Sequence, residues 1–149
     1  MSSGRPRVIV HWLPPIVWAA CVLSFSSDAL SAAHTGVWLA RVVAEVIGHP
    51  LPPREFNLLH FLLRKAAHLT EYGILGALLF RALRAGAPGW RWGWAAAAVV
   101  LAGCVAAADE WHQFFIPSRT GSPWDVLLDV TGAALAQFLA RLRVNLFRS

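Results

Sequence analysis

Four stretches of this chain are apolar for longer than a half-buried element needs, and turn-forming residues separate them. A bilayer core of ~30 Å asks for about 20 apolar residues as helix. Candidate spans run from Val8 to Phe25, Phe61 to Leu83, Trp94 to Ile116 and Val126 to Leu142. The Pro14-Pro15 pair predicts a kink in the first. Gly86, Pro88 and Gly89 break the chain between the second and third, and Pro117, Gly121 and Pro123 break it between the third and fourth. Spans two and four are interrupted by polar residues. The third, "WGWAAAAVVLAGCVAAA", is unbroken until it meets "DEWHQFFIPSRTGSPWD".

Between the first two spans, Trp38, Leu39, Val42, Val43, Val46 and Ile47 recur at helical spacing. Arg41 and Glu45 form an i,i+4 pair on the other face. This pattern predicts a short amphipathic helix on the membrane surface, ended by Gly48 and the prolines at 50, 52 and 53. Asn57 is then placed to cap span two. The expected fold is a single all-α membrane domain over residues 1–149, a bundle of four transmembrane helices with that surface helix between the first and second spans. Arg5 and Arg7 ahead of an apolar run also fit a signal peptide. An uncleaved first helix, however, gives the later spans their orientation.

Composition supports the membrane class. Hydrophobic residues make up 57% and charged residues 14%, too little charge for an ordinary wetted surface. The net charge of +5 does not indicate nucleic acid, because the few basic residues flank apolar runs; no nucleic-acid partner is expected. With the N-terminus inside, Arg5, Arg7, Arg81, Arg84, Arg91, Arg141, Arg143 and Arg148 are inner, against Arg41, Arg54, Arg64, Lys65 and Arg119 outside. The positive-inside rule then puts both termini in the cytoplasm. All 8 acidic residues fall on or near the outer half. Cys21 and Cys104 lie in apolar runs and suggest neither a disulfide framework nor a metal spacing.

The spans also carry groups that do not belong in lipid. Arg64, His68, Glu71 and Leu75 share one face of span two, overlapped by a stripe of Lys65, His68 and Tyr72. In span three Asp109, His112 and Gln113 recur at offsets of three and four, with Glu110 on an adjoining face. Asp125 and Asp129 lie one turn apart in span four, and "SFSSD" closes span one at the same level. A charge at the bilayer centre costs about 2.5–3.5 kcal/mol on insertion scales, so such groups face inward and serve a function by default. The expected site is a polar pocket. His68, Glu71, Asp109, Glu110 and His112 are its candidate acid/base residues, and Arg64, Lys65, Tyr72, Gln113, Arg119, Asp125 and Asp129 its candidate binding residues. A scaffold of ion pairs is the plainer alternative. His68-x-x-Glu71 and Asp109-x-x-His112 offer metal-ligand pairs, but such spacing is common by chance and Arg and Lys compete for the carboxylates. No metal or other cofactor is expected. Neither G-x-S-x-G nor a phosphate loop is present.

Together these pieces resemble the VanZ-like family of bacterial membrane proteins. Its pattern is similar to Lys65, His68, Glu71 and Tyr72; then Asp109, Glu110, His112, Gln113, Phe115, Pro117 and Arg119; then Asp125, Val126 and Gly132. Ser118 stands where the family usually has Gly, and Asp129 where it often has Asn. The resemblance implies a multi-pass protein of the bacterial cell (inner) membrane, linked through the family's name to teicoplanin resistance, and it implies no particular reaction. The leading expectation is recognition of the polar part of an envelope lipid or lipid-linked glycan. That makes membrane lipids, and a lipid-linked envelope precursor, the expected partners. A membrane-embedded enzyme and a structural scaffold are the alternatives.

Overall fold

The computed structural model describes residues 5–25, 32–115 and 121–146. Five helices follow in chain order: α1 Arg5–Phe25, α2 Ala32–Ile47, α3 Pro53–Arg84, α4 Trp92–Gln113 and α5 Pro123–Leu146. No strand occurs among the described residues. The central helix is α3. It packs most extensively on α5, α4 lies against both, α1 lies along α3, and α2 touches α3 only sparsely.

Helix starts differ from the sequence expectation for a local reason. Pro53 occupies the first turn of α3, with Pro52 extended before it (φ −54°, ψ 144°). A proline there loses no helical hydrogen bond, because the first N–H groups have no partner anyway. The prolines that end α2 therefore also begin α3, eight residues before Phe61. Asn57 lies inside the helix rather than capping it. Pro123 starts α5 in the same way, three residues before Val126. Helix α2 begins at Ala32, ahead of Trp38, and α4 ends at Gln113, short of Ile116. Pro14 and Pro15 both lie within the helical run of α1. The α3 end is set by Ala85 and Gly86, both with positive φ, and by Arg81 and Arg84 in the last turn, which oppose the negative end of the helix dipole.

Small residues let the helices approach. Ala95, Ala98, Ala102 and Ala106 form one fully buried stripe on α4. On the α3–α5 seam, a Cβ at Gly76 would stand 2.9 Å from Ala133 Cα, and one at Gly132 would collide with the Leu69 carbonyl. Close backbone contact through Gly and Ala is how helices pack where no hydrophobic effect separates one apolar surface from another.

Large apolar side chains stand exposed on every described helix. Ile9, Leu13 and Ile16 on α1, Val100 on α4, and Phe138 and Leu139 on α5 are exposed, while Asp109, Glu110, Gln113, Asp125, Asp129 and Gln137 are buried. A soluble protein distributes these groups the other way. One described helix, α4, is long and apolar enough to cross a membrane, and Ile9–Ser24 is a shorter apolar run. The polar residues of α3 and α5 lower their average hydropathy, and His68, Tyr72, Asp125, Asp129 and Gln137 among them are buried. Aromatic residues mark both ends of α4. At one end Arg141 lies 5.3 Å from the Trp90 ring and 4.9 Å from that of Trp92, and Arg91 lies 4.9 Å from Trp94. At the other, Trp111 packs edge-on to Phe115 with Phe114 and Trp124 exposed nearby in sequence. Cys21 and Cys104 are both free thiols, and Cys104 is exposed on α4.

Candidate functional site

One stripe of α5 organises the site. Asp125, Asp129, Ala133 and Gln137 recur every four residues, and all are buried. Each meets α3 or its own seam. Asp125 Oδ1 accepts a hydrogen bond from Lys65 Nζ, and its Oδ2 lies 3.7 Å from Arg64 Nη2. Asp129 Oδ1 lies 3.3 Å from His68 Nδ1. Ala133 fills the space opposite Gly76. Gln137 Nε2 donates to the Gly76 carbonyl at 3.0 Å and to that of Ala133 at 3.3 Å. The glycine contact thus fixes the distance at which the charged pairs one and two turns away can form.

Helix α4 adds a second layer. Gln113 Nε2 donates to Asp109 Oδ2 at 3.1 Å, one turn apart. Glu110 Oε2 accepts the Ser122 backbone N–H at 2.7 Å, which ties the end of α4 to the start of α5. From α1, Trp18 Nε1 donates to the Glu71 carbonyl at 2.9 Å. Tyr72 is fully buried at the centre of this group, within electrostatic reach of Asp109, Asp129, Glu110 and Glu71.

Most of the sequence-predicted residues come together here. His68, Tyr72, Asp109, Glu110, Gln113, Asp125 and Asp129 are buried, Glu71 is half-buried, and Arg64 and Lys65 are half-buried on the rim. Arg119, with Ser26, Ser27 and Asp28, lies outside the described residues. His112 does not join them: it is exposed. The buried face of α4 centres between Asp109, Glu110 and Gln113, and at about 100° per residue His112 falls roughly 110° from that centre. Trp111 and Trp124 are exposed as well. No group of three or more His, Cys, Asp or Glu side chains able to hold a metal ion occurs among the described residues. The Asp109-x-x-His112 pair is divided by packing, with Asp109 buried and His112 exposed.

Sequence reasoning missed Gln137, Ser122 and Trp18. Gln137 had a readable signal, since it continues the four-residue spacing of Asp125 and Asp129 two turns further. The other two had none, because a backbone donor and an indole contact depend on how α1, α4 and α5 are placed.

Chemically, the arrangement holds paired charges next to buried acceptors with capacity to spare. With Asp129 ionised, its carboxylate only accepts, so His68 carries a proton on Nδ1, and Nε2 is an acceptor when the ring is neutral and a second donor when it is charged. Asp129 Oδ2, Glu110 Oε1 and Gln113 Oε1 accept no hydrogen bond among the described residues, and the Tyr72 hydroxyl has no partner there. Buried polar atoms are ordinarily satisfied, and each exception calls for an explanation.

The family model described as VanZ/LLP1 matches residues 12–146. No curated protein and no solved structure matches the chain.

Proposed function

Because the chain belongs to the VanZ/LLP1 family, we propose that it is a multi-pass protein of the bacterial inner membrane whose polar cluster recognises the headgroup of an envelope lipid or lipid-linked glycan. The observation that carries this reading is the one-sided convergence of buried titratable groups. His68, at the middle of α3, meets Asp109 and Glu110 near the end of α4 and Asp125 and Asp129 near the start of α5. The opposite ends of these helices have Arg81, Arg84, Arg91, Arg141 and Arg143 and no acid.

In this reading α1, α3, α4 and α5 are the four spans and α2 rests on the surface. The arginine end lies in the cytoplasm, as the positive-inside rule asks, with both termini. The polar cluster then sits in the outer half. Arg64 and Lys65 on the rim meet phosphate or carboxylate groups; Arg suits bidentate contact. The buried carboxylates and His68 orient what enters. Binding a lipid-linked precursor of the envelope is the route by which such a protein would alter susceptibility to a teicoplanin-type glycopeptide.

Native mass spectrometry of the detergent-purified protein tests the reading. Wild type is expected to retain an envelope lipid or lipid-linked glycan that the His68→Ala/Asp109→Asn variant, matched for helical content, has lost. A wild type that retains nothing, or a variant with the same adducts, overturns it. One observation favours a second reading, a membrane-embedded acid/base enzyme: the His68–Asp129 pair orients an imidazole as such catalysis requires. Turnover of the retained lipid on incubation would distinguish the two.

A further inference from the structure

We propose that the buried part of the cluster binds a protonated primary amine, so that the headgroup recognised is a zwitterionic aminophospholipid with its amine inside and its phosphate at the rim. This rests on the lipid-recognition reading and names the ligand class of that same site.

Charge supplies the first argument. Glu71, Asp109, Glu110, Asp125 and Asp129 bring five carboxylates within electrostatic reach of Tyr72 or Glu110. Arg64 and Lys65 are the permanent cations described beside them, and both are engaged by Asp125. Counting His68 as charged still leaves the acids ahead by two among the described residues. An unbalanced charge this deep is costly, and a bound monovalent cation reduces the imbalance.

Hydrogen-bond chemistry supplies the second, independently of charge. Gln113 is fully buried, and its amide nitrogen is used on Asp109 while its oxygen has no donor among the described residues. Asp129 Oδ2 and Glu110 Oε1 are in the same condition; the fully buried Tyr72 hydroxyl, which has one hydrogen to give and is the cluster's one spare side-chain hydroxyl donor, also has no partner among the described residues. The Gln113, Asp129 and Glu110 oxygens can only accept when the carboxylates are ionised, three acceptors against the single Tyr72 donor. A cluster short of donors is met by a group that has donors and nothing else. A primary ammonium offers three N–H groups and no acceptor. A quaternary ammonium has the same charge and no N–H, so it answers the first argument and fails the second.

The rim has the opposite need. Arg64 Nε is a donor without a partner among the described residues, and Arg64 and Lys65 keep 35% and 26% of their side-chain surface exposed. Donors outside and acceptors inside fit a headgroup whose phosphate precedes its amine.

The test is competition among headgroups. Delipidated protein in detergent is given equal amounts of phosphatidylethanolamine, phosphatidylcholine and phosphatidylglycerol, and adducts are read by native mass spectrometry. Phosphatidylethanolamine is expected to lead each of the others by about tenfold or more. Asp129→Asn and Glu110→Gln, near-isosteric variants that can keep their His68 and Ser122 contacts, are expected to bring phosphatidylethanolamine to parity with phosphatidylcholine. Free ethanolamine in excess separates the sources. If it displaces the lipid, the amine alone is the determinant; if it does not, the amine is read as part of the lipid. Either result supports the proposal. Equal retention of all three lipids, or a preference unmoved by both variants, overturns it. A phosphatidylglycerol preference lost in Lys65→Met would overturn the amine proposal and leave lipid recognition standing. No adduct with any lipid would remove both.

Discussion

Replacing Gly76 by Ala adds one methyl group at the closest point of the α3–α5 seam. The new Cβ would stand 2.9 Å from Ala133 Cα, 3.0 Å from its Cβ and 3.1 Å from its carbonyl oxygen. All three belong to helix backbone or to a side chain too short to rotate away. Ordinary contact begins at 3.4 Å, so the helices must part by about 0.5–1 Å or carry the strain, and overpacking of this kind costs about 1–3 kcal/mol. Parting also stretches the 3.3 Å His68–Asp129 contact and the 3.0 Å Gln137–Gly76 bond. Each such interhelical bond is worth about 0.6 kcal/mol in a membrane protein. Better helix propensity returns up to about 1 kcal/mol. The net loss is about 1–3 kcal/mol, or a fall of about 3–10 °C in the thermal midpoint for a chain of this size. Tryptophan fluorescence during heating in detergent reads it, with Gly93→Ala as control. Nothing lies within 4 Å of a Cβ at position 93, so that variant is expected to stay level or gain. Gly132→Ala, which drives a methyl group into the Leu69 carbonyl, should be worse than Gly76→Ala. Gly103→Ala, which meets only a Val130 methyl group at 3.1 Å, should be milder. If Gly76→Ala melts with Gly93→Ala, the seam does not set the helix spacing.

Lys65→Met should destabilise by about 1–3 kcal/mol because it leaves buried Asp125 with the more distant Arg64. Adding Asp125→Asn should recover most of the loss, and a double-mutant cycle by thermal midpoint that shows simple additivity would deny the coupling. Gln137→Leu removes two carbonyl contacts with little change of volume and should cost about 0.6 kcal/mol; no measurable change in denaturant midpoint would mean those contacts do not hold the seam. His112→Ala should stay within about 0.5 kcal/mol of wild type and keep any lipid adduct, whereas His68→Ala should lose both stability and adduct. A reversal of that order would return His112 to the site.

The sequence was most readable where the side-chain period alone carried the information. Offsets of three and four placed His68 and Tyr72 on one face of α3, and Asp109 and Gln113 on one face of α4. The same offsets misplaced His112, because i,i+3 and i,i+4 neighbours straddle a helix face and only the packing partner decides which is buried. Asn57 looked like a cap because it is a good capping residue, but Pro52 and Pro53 had already begun the helix. Arg64 and Lys65 read as binding residues or as partners of nearby carboxylates, with nothing to choose the carboxylate. Their engagement by Asp125 depends on the register of α5 against α3, which Gly76 and Gly132 set and which no local pattern announces. The four-residue step from Asp125 to Gln137 held more than its first two members suggested.

The aromatic groups at the two ends of α4 also set a length. Trp92 and Trp111 are separated by 19 positions, about 28 Å along a helix axis. That nearly equals the ~30 Å hydrocarbon thickness of a bilayer. On the membrane reading, indole rings pinned at both interfaces make α4 a gauge of thickness, with Arg141 clamped to Trp90 and Trp92 as its fixed end. A thicker bilayer would draw the polar cluster below its headgroup layer, and a thinner one would lift it into water. Its access to a lipid headgroup would therefore depend on acyl-chain length as well as on headgroup chemistry.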